Sequence, residues 1–248
     1  MRSPQARMLQ MPSGVGSLPN GLQLLTVPGE SSTCAIGFFA KGGCRFEQAG
    51  VDRGASLLLK HMLHQSNGKY TATEVSTFKQ DFGRLHDLDI ESRDVLCHMA
   101  ECPRWNLEPC LDVMTSMIFQ PDFRPEELER GKSEAKVAAC LTLEMDEQAQ
   151  MMDMVVETAF GGKTIGQTQW PVECIASLTS DDLNTYVRRV WSPDRVCLVI
   201  SGATQEEVLP ILQTLFDRLP PLQPPALPPA PVLEEPAKYV GGWEYVSD

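Results

Sequence analysis

Apolar and polar positions change rhythm several times along this chain, and each rhythm predicts an element. Residues 18–27, LPNGLQLLTV, set apolar runs on both sides of Asn20-Gly21, which tolerate positive φ, and so predict strand–turn–strand. CAIGFFAKGG (34–43) predicts a second apolar strand. DRGASLLLKHMLHQ (52–65) has helical spacing and length, with Ser66-Asn67-Gly68 as its stop. YTATEVSTFKQDFG follows with Thr71 three residues ahead of Glu74, a reciprocal cap, and ends at Gly83. RLHDLDIES and VLCHMAEC then predict two antiparallel strands joined near Arg93-Asp94.

Three amphipathic helices are predicted next, over 105–119, 124–144 and 146–160. Pro125, Glu126 and Glu127 suit the first turn of the second one. The remaining pattern predicts a capped helix over 179–191, a buried strand over 194–202 and a closing helix over 204–219. This order predicts an α+β layered lobe, a mostly antiparallel sheet packed by helices, over residues 17–219.

At both ends the composition departs from that pattern. Residues 1–16 carry Arg2 and Arg7 and no acid, which is compatible with a remnant of a mitochondrial targeting segment. Residues 220–237 open with PPLQPPALPPAPVLEEP, a composition that favours polyproline II and reads as a semi-rigid linker. Residues 238–248 regain strand character, as the first strand of a second lobe that the chain does not carry.

Composition narrows the functional classes. Of the 248 residues 42% are hydrophobic and 22% charged, as in ordinary folded proteins. No apolar run reaches the roughly 18 residues of a membrane-spanning helix. A net charge of −12 argues against a nucleic-acid partner and suits attraction of basic ones. No two of the eight cysteines are spaced as CxxC, so they predict buried free thiols in a reducing compartment. GGKT (161–164) lacks the upstream glycine of a phosphate-binding loop, because Glu157 stands there.

Four histidines remain as candidate chemistry: His61, His64, His86 and His98. His61 and His64 are three apart on the predicted helix and could share a face, but zinc needs at least three protein ligands and no third partner stands out. No GxSxG elbow supports a serine nucleophile.

GASLLLKHML (54–63) resembles the inverted zinc-binding helix of the pitrilysin and insulinase peptidase family, whose pattern is HxxEH. LPNGLQLLTV, IGFFAKGGCRFE, FQPDFRPEELERGK, ETAFGG, the stretch from PVECIASL to LVISG, and KYVGG resemble that family in order and spacing, across residues 17–248. The resemblance implies the N-terminal half of a two-lobed, peptidase-like subunit. Carried over position by position, it puts Leu57 at the first histidine, Lys60 at the glutamate and His61 at the last histidine. Leucine cannot ligate zinc, and a lysine cation repels the metal. The family's distant glutamate is expected near 135–139, which reads AKVAA, with Glu134 beside it. Only His61, His64 and Glu134 are left as metal candidates, and no catalytic residue and no cofactor are expected.

Inactive members of this family include the core subunits of the mitochondrial ubiquinol–cytochrome c reductase complex. The resemblance therefore implies a structural core subunit, peripheral to the inner membrane on its matrix side, whose partners are a homologous peptidase-like subunit and other respiratory subunits. The alternative it implies is the non-catalytic alpha subunit of the mitochondrial processing peptidase, a matrix protein that holds basic presequence peptides. An active zinc peptidase ranks third.

Overall fold

The computed structural model describes residues 14–81, 83–90, 92–219 and 236–243. Six strands form one sheet in the order β1-β2-β6-β3-β5-β4, made of β1 (Gly14–Ser17), β2 (Gln23–Val27), β3 (Thr33–Lys41), β4 (Arg84–Leu85), β5 (Val95–Pro103) and β6 (Val196–Ser201). All neighbours are antiparallel except β2 and β6. The α+β class and the mostly antiparallel sheet expected from the sequence are both present.

Period-two alternation sends one face of the sheet into the core. Ile36 and Phe38 of β3, Leu96, His98 and Ala100 of β5, and Leu198 and Ile200 of β6 are buried on that side. Helices α1 (Ala55–Met62), α3 (Leu107–Phe119), α7 (Ser180–Val190) and α8 (Gln205–Arg218) supply Leu57, Leu111, Tyr186 and Leu212 to the same core. The opposite face holds a row of registered residues, Val15, Leu25, Val199, Gly37 and Met99, with Val15 and Met99 exposed.

Reciprocal caps start three helices where the sequence predicts them. Thr71 and Glu74 bond each other's backbone at the head of α2 (Ala72–Asp81). Thr179 with Asp182 opens α7, and Thr204 with Glu207 opens α8. The long pair α4 (Pro125–Met145) and α5 (Glu147–Phe160) turns at Asp146, whose carboxylate accepts from the Ala149 N–H at 2.9 Å. Gly131 lets α4 pass α1 closely, since a Cβ there would meet the Met62 sulfur.

Several boundaries differ from the sequence reading. The first hairpin begins at Gly14, so the segment 1–16 read as a tail contributes its last residues to β1; residues 1–13 lie outside the described residues. The helix expected over 52–65 starts only at Ala55, because Gly54 adopts φ 91°, and it ends at Met62. The strand expected over 84–92 pairs only at Arg84–Leu85, with one further bridge from Asp89 to Cys97. A short helix, α6 (Val172–Ile175), occupies a stretch read as loop.

The linker expected over 220–237 lies outside the described residues except for its last two. Residues 236–243, within the strand expected over 238–248, are irregular and lie on α5: Val240 N–H donates to the Ala159 carbonyl at 2.8 Å and Tyr239 packs edge-on against Phe160.

Candidate functional site

The segment that resembles a zinc-binding helix is α1, and a buried carboxylate holds its start. Glu47 accepts from the backbone N–H of Gly54 and of Ser56, both at 2.8 Å, and from the Ser56 hydroxyl at 2.5 Å. It thereby satisfies donors that the helix itself leaves open. Burial pushes the Glu47 carboxyl up, and these hydrogen bonds and Arg53 pull against that. Sequence reading missed Glu47, since its partners lie seven and nine residues ahead and no capping pattern has that spacing.

Along α1, Leu57 points into the core and is 1% exposed. Lys60 and His61 are half-buried in the last turn. Burial first, and then the Lys60 cation, push the His61 imidazole below its ordinary value, while Glu134 and Asp87 oppose them. Glu134, on α4, is half exposed and pairs with Arg130 at 3.9 Å, one turn away on its own helix.

His64 does not share a helix face with His61. The helix ends at Met62, and His64 turns inward to lie 5.3 Å, ring centre to ring centre, from His98 of β5. Its Nδ1 faces Lys79 Nζ at 3.1 Å and Asp87 at 3.6 Å. Burial, then Lys79, bring its pKa down to about 4. His98 is fully buried, neither ring nitrogen has a protein partner, and burial drives it well below its ordinary value. His86 instead sits at the surface, 3.4 Å from Glu101.

This donor set does not fit zinc. Leu57 offers no lone pair where the family's first histidine would stand, and Lys60 offers a cation where its glutamate would. No group of three or more potential ligands forms among the described residues.

Beneath α1 lies a second buried polar group absent from the sequence reading. Arg189 of α7 donates to Asp52 at 2.5 Å and to the Phe46 carbonyl at 2.8 Å, and the Gly43 N–H donates to Tyr186 Oη at 2.9 Å. These contacts fix the connection from β3 to α1. The 161–171 loop is closed likewise by Asp153 of α5, which accepts from Arg93 at 2.6 Å and Thr168 at 2.5 Å.

The α4–α5 hairpin presents apolar side chains outward. Val137, Leu141 and Met145 recur every four residues on α4, and Met151, Met152 and Val155 are exposed on α5. Asp153 is the one buried residue of α5, and Trp243, in the segment that lies on α5, is 82% exposed. Residues 137–162 contain five acids and no lysine or arginine, so any partner meets an apolar face with acidic surroundings.

Comparison with known proteins converges on one family. Residues 26–170 match the family described as Insulinase (Peptidase family M16), and residues 177–242 match the Peptidase M16 inactive domain. Among curated relatives, the probable mitochondrial-processing peptidase subunit beta of Arabidopsis thaliana is 27% identical, over 92% of this chain and 42% of its own length. The mitochondrial-processing peptidase subunit alpha of Caenorhabditis elegans is 24% identical, over 83% of this chain and 40% of its own. Core protein I of the ubiquinol-cytochrome-c reductase complex of Euglena gracilis is 23% identical, over 86% and 43%. The chain thus spans under half the length of these relatives. A protease from Helicobacter pylori shares the fold with a TM-score of 0.75 at 19% identity, covering 87% of this chain and 52% of that one.

Proposed function

Because the chain belongs to the insulinase family of peptidases, family M16, we propose that it is a catalytically inactive member acting as a structural subunit of a mitochondrial assembly. The observation that carries this reading is that Leu57 is sealed in the core, at what the resemblance gives as the position of a zinc-binding histidine, with Lys60 one turn on where it gives the water-activating glutamate. Relatives named as mitochondrial processing peptidase subunits and as a reductase core protein support the location and a multi-subunit setting. The outward apolar face of α4–α5 supports a peptidase-like partner chain, for which such a face is suited.

Within that role we favour a core subunit of the ubiquinol–cytochrome c reductase complex, peripheral to the inner membrane on the matrix side. No helix among the described residues is long and apolar enough to cross a membrane. The second reading is the non-catalytic alpha subunit of the mitochondrial processing peptidase. The net charge of −12 favours it, since acidic surfaces attract basic presequences. The proposed linker over 220–237 fits either role.

The test is to tag the chain in its own cells, isolate it under mild detergent and identify what accompanies it in stoichiometric amount. Respiratory subunits, with a peptidase-like partner, support the core role. One soluble partner with an intact HxxEH and no respiratory subunit supports the alpha role. Recovery of the chain alone, with cleaving activity that disappears in His61→Ala, contradicts both.

A further inference from the structure

Four of the chain's eleven methionines fall within ten residues, at positions 145, 151, 152 and 154. They gather where α4 turns into α5 at Asp146. Met145 closes α4 and is 79% exposed, Met151 and Met152 of α5 are 64% and 56% exposed, and Met154 is half-buried. The methionines described elsewhere differ. Met62, Met114 and Met117 are buried in the core, and Met99, on the uncovered sheet face, is 41% exposed.

An exposed helical position takes leucine as readily as methionine, and leucine offers a partner the same apolar contact. Methionine adds two properties: a flexible thioether that adapts to the shape of a partner, and a sulfur open to oxidation. Solvent reaches these three exposed side chains directly, so a small oxidant needs no channel. Oxidation makes the thioether polar, with an oxygen that accepts hydrogen bonds. Residues 137–162 offer that oxygen no lysine or arginine, so it takes up water and the apolar face becomes hydrated. The same stretch is acidic, and the hairpins of two copies would set acid against acid, so they do not cover each other.

We propose that Met145, Met151 and Met152 are a reversible oxidation site for small hydroperoxides, and that their oxidation keeps the partner chain off the α4–α5 face. This rests on the subunit reading above, in which a peptidase-like chain covers that face. In each step the thioether sulfur attacks one peroxide oxygen; an S–O bond forms and the O–O bond breaks. The departing hydroxide takes the proton of the transferred oxygen and leaves as water. The sulfur loses two electrons and the peroxide gains them. In the reverse step two thiols of a reductase supply two electrons and two protons; the S–O bond breaks, the oxygen leaves as water and the thiols close to a disulfide. A bound partner shields the three sulfurs, so the unassembled chain is the form that is marked. Each methionine withdrawn from the contact lowers affinity about tenfold.

The experiment treats two samples with the same limiting hydrogen peroxide: the purified full chain, and the assembly isolated with it from its own cells under mild detergent. Trypsin cleavage after Lys136 and Lys163 puts the hairpin methionines on residues 137–163, Met99 on residues 94–104, and Met114 with Met117 on residues 105–130. Fragment spectra locate each added oxygen. In the purified chain Met145, Met151 and Met152 should be oxidised before Met99, with Met62, Met114 and Met117 intact. In the assembly the three should be protected while Met99 reacts as before. A variant with glutamine at all three positions, polar like the sulfoxide, should recover the partner about tenfold less or worse. A variant with leucine at all three should recover it fully and resist peroxide. No preference for the hairpin in the purified chain, equal oxidation in the assembly, or protection of Met99 in place of the hairpin would each overturn the proposal. Full recovery of the partner by the glutamine variant would overturn it and leave the subunit reading intact. Recovery of the wild-type chain with no partner would overturn both.

Discussion

The guanidinium of Arg189 lies 2.5 Å from the carboxylate of Asp52, a residue 137 positions earlier, and both side chains are shut away from solvent. Asp52 also accepts from the Gln48 N–H at 2.6 Å, so the pair ties α7 to the loop that leads into α1. Burial pushes the Asp52 carboxyl up and Arg189 opposes it.

Breaking one side of this pair strands the other as an unpaired buried charge. Arg189→Met is expected to cost about 3–5 kcal/mol of folding stability, and Asp52→Asn a similar amount. The double variant Asp52→Leu with Arg189→Met should recover much of that loss, because two apolar groups need no partner. Urea unfolding of the three variants measures this; additive losses in the double variant would show that the two residues act independently.

Acid should destabilise the chain through His64 and His98. Both have folded-state values below the ordinary 6.5, His64 at about 4 and His98 well below. Between these limits the unfolded chain binds protons that the folded chain refuses, so stability is full above pH 6.5 and falls as pH drops towards 4. Lys79 opposes protonation and Asp87 favours it, and His86 adds to the positive field at His98. His98→Leu removes one of these protons and two buried nitrogens without protein partners, so its stability should fall less steeply over that window. Unfolding curves at a series of pH values compare the slopes; equal slopes would refute the assignment.

The exposed hairpin face should matter for assembly and not for folding. Met151→Glu and Val155→Glu place charges on positions that are more than half exposed, so stability should move by no more than about 0.5 kcal/mol. Recovery of the partner chain from cells should drop sharply. Unchanged recovery would move the interface elsewhere, the uncovered sheet face around Val15 and Met99 being the other apolar surface.

The sequence made the long elements legible for physical reasons that the structure displays. Thr71 with Glu74 and Thr179 with Asp182 carry their caps within four residues, so local spacing suffices to read them. The β4 region defeated the same reading. Leu85, Leu88 and Ile90 are all buried, but the step of three from Leu85 to Leu88 breaks the period of two, and the segment pairs only in part. Gly54 looked like a helix residue because its left-handed backbone leaves no sign in hydrophobic spacing. In the candidate site, the resemblance places Leu57 and Lys60 at motif positions from chain order alone. Glu47, the Asp52–Arg189 pair and the His64–His98 stack were not legible in that way, since each depends on where separate elements meet.

The measurement that bears most directly on the inactive-subunit account is the metal content of the purified chain, by mass spectrometry after dialysis against zinc. The account predicts far less than one zinc per chain, and no change in His61→Ala, because Leu57 and Lys60 leave His61 without companions. One zinc per chain, lost together with peptide cleavage in His61→Ala, would contradict it.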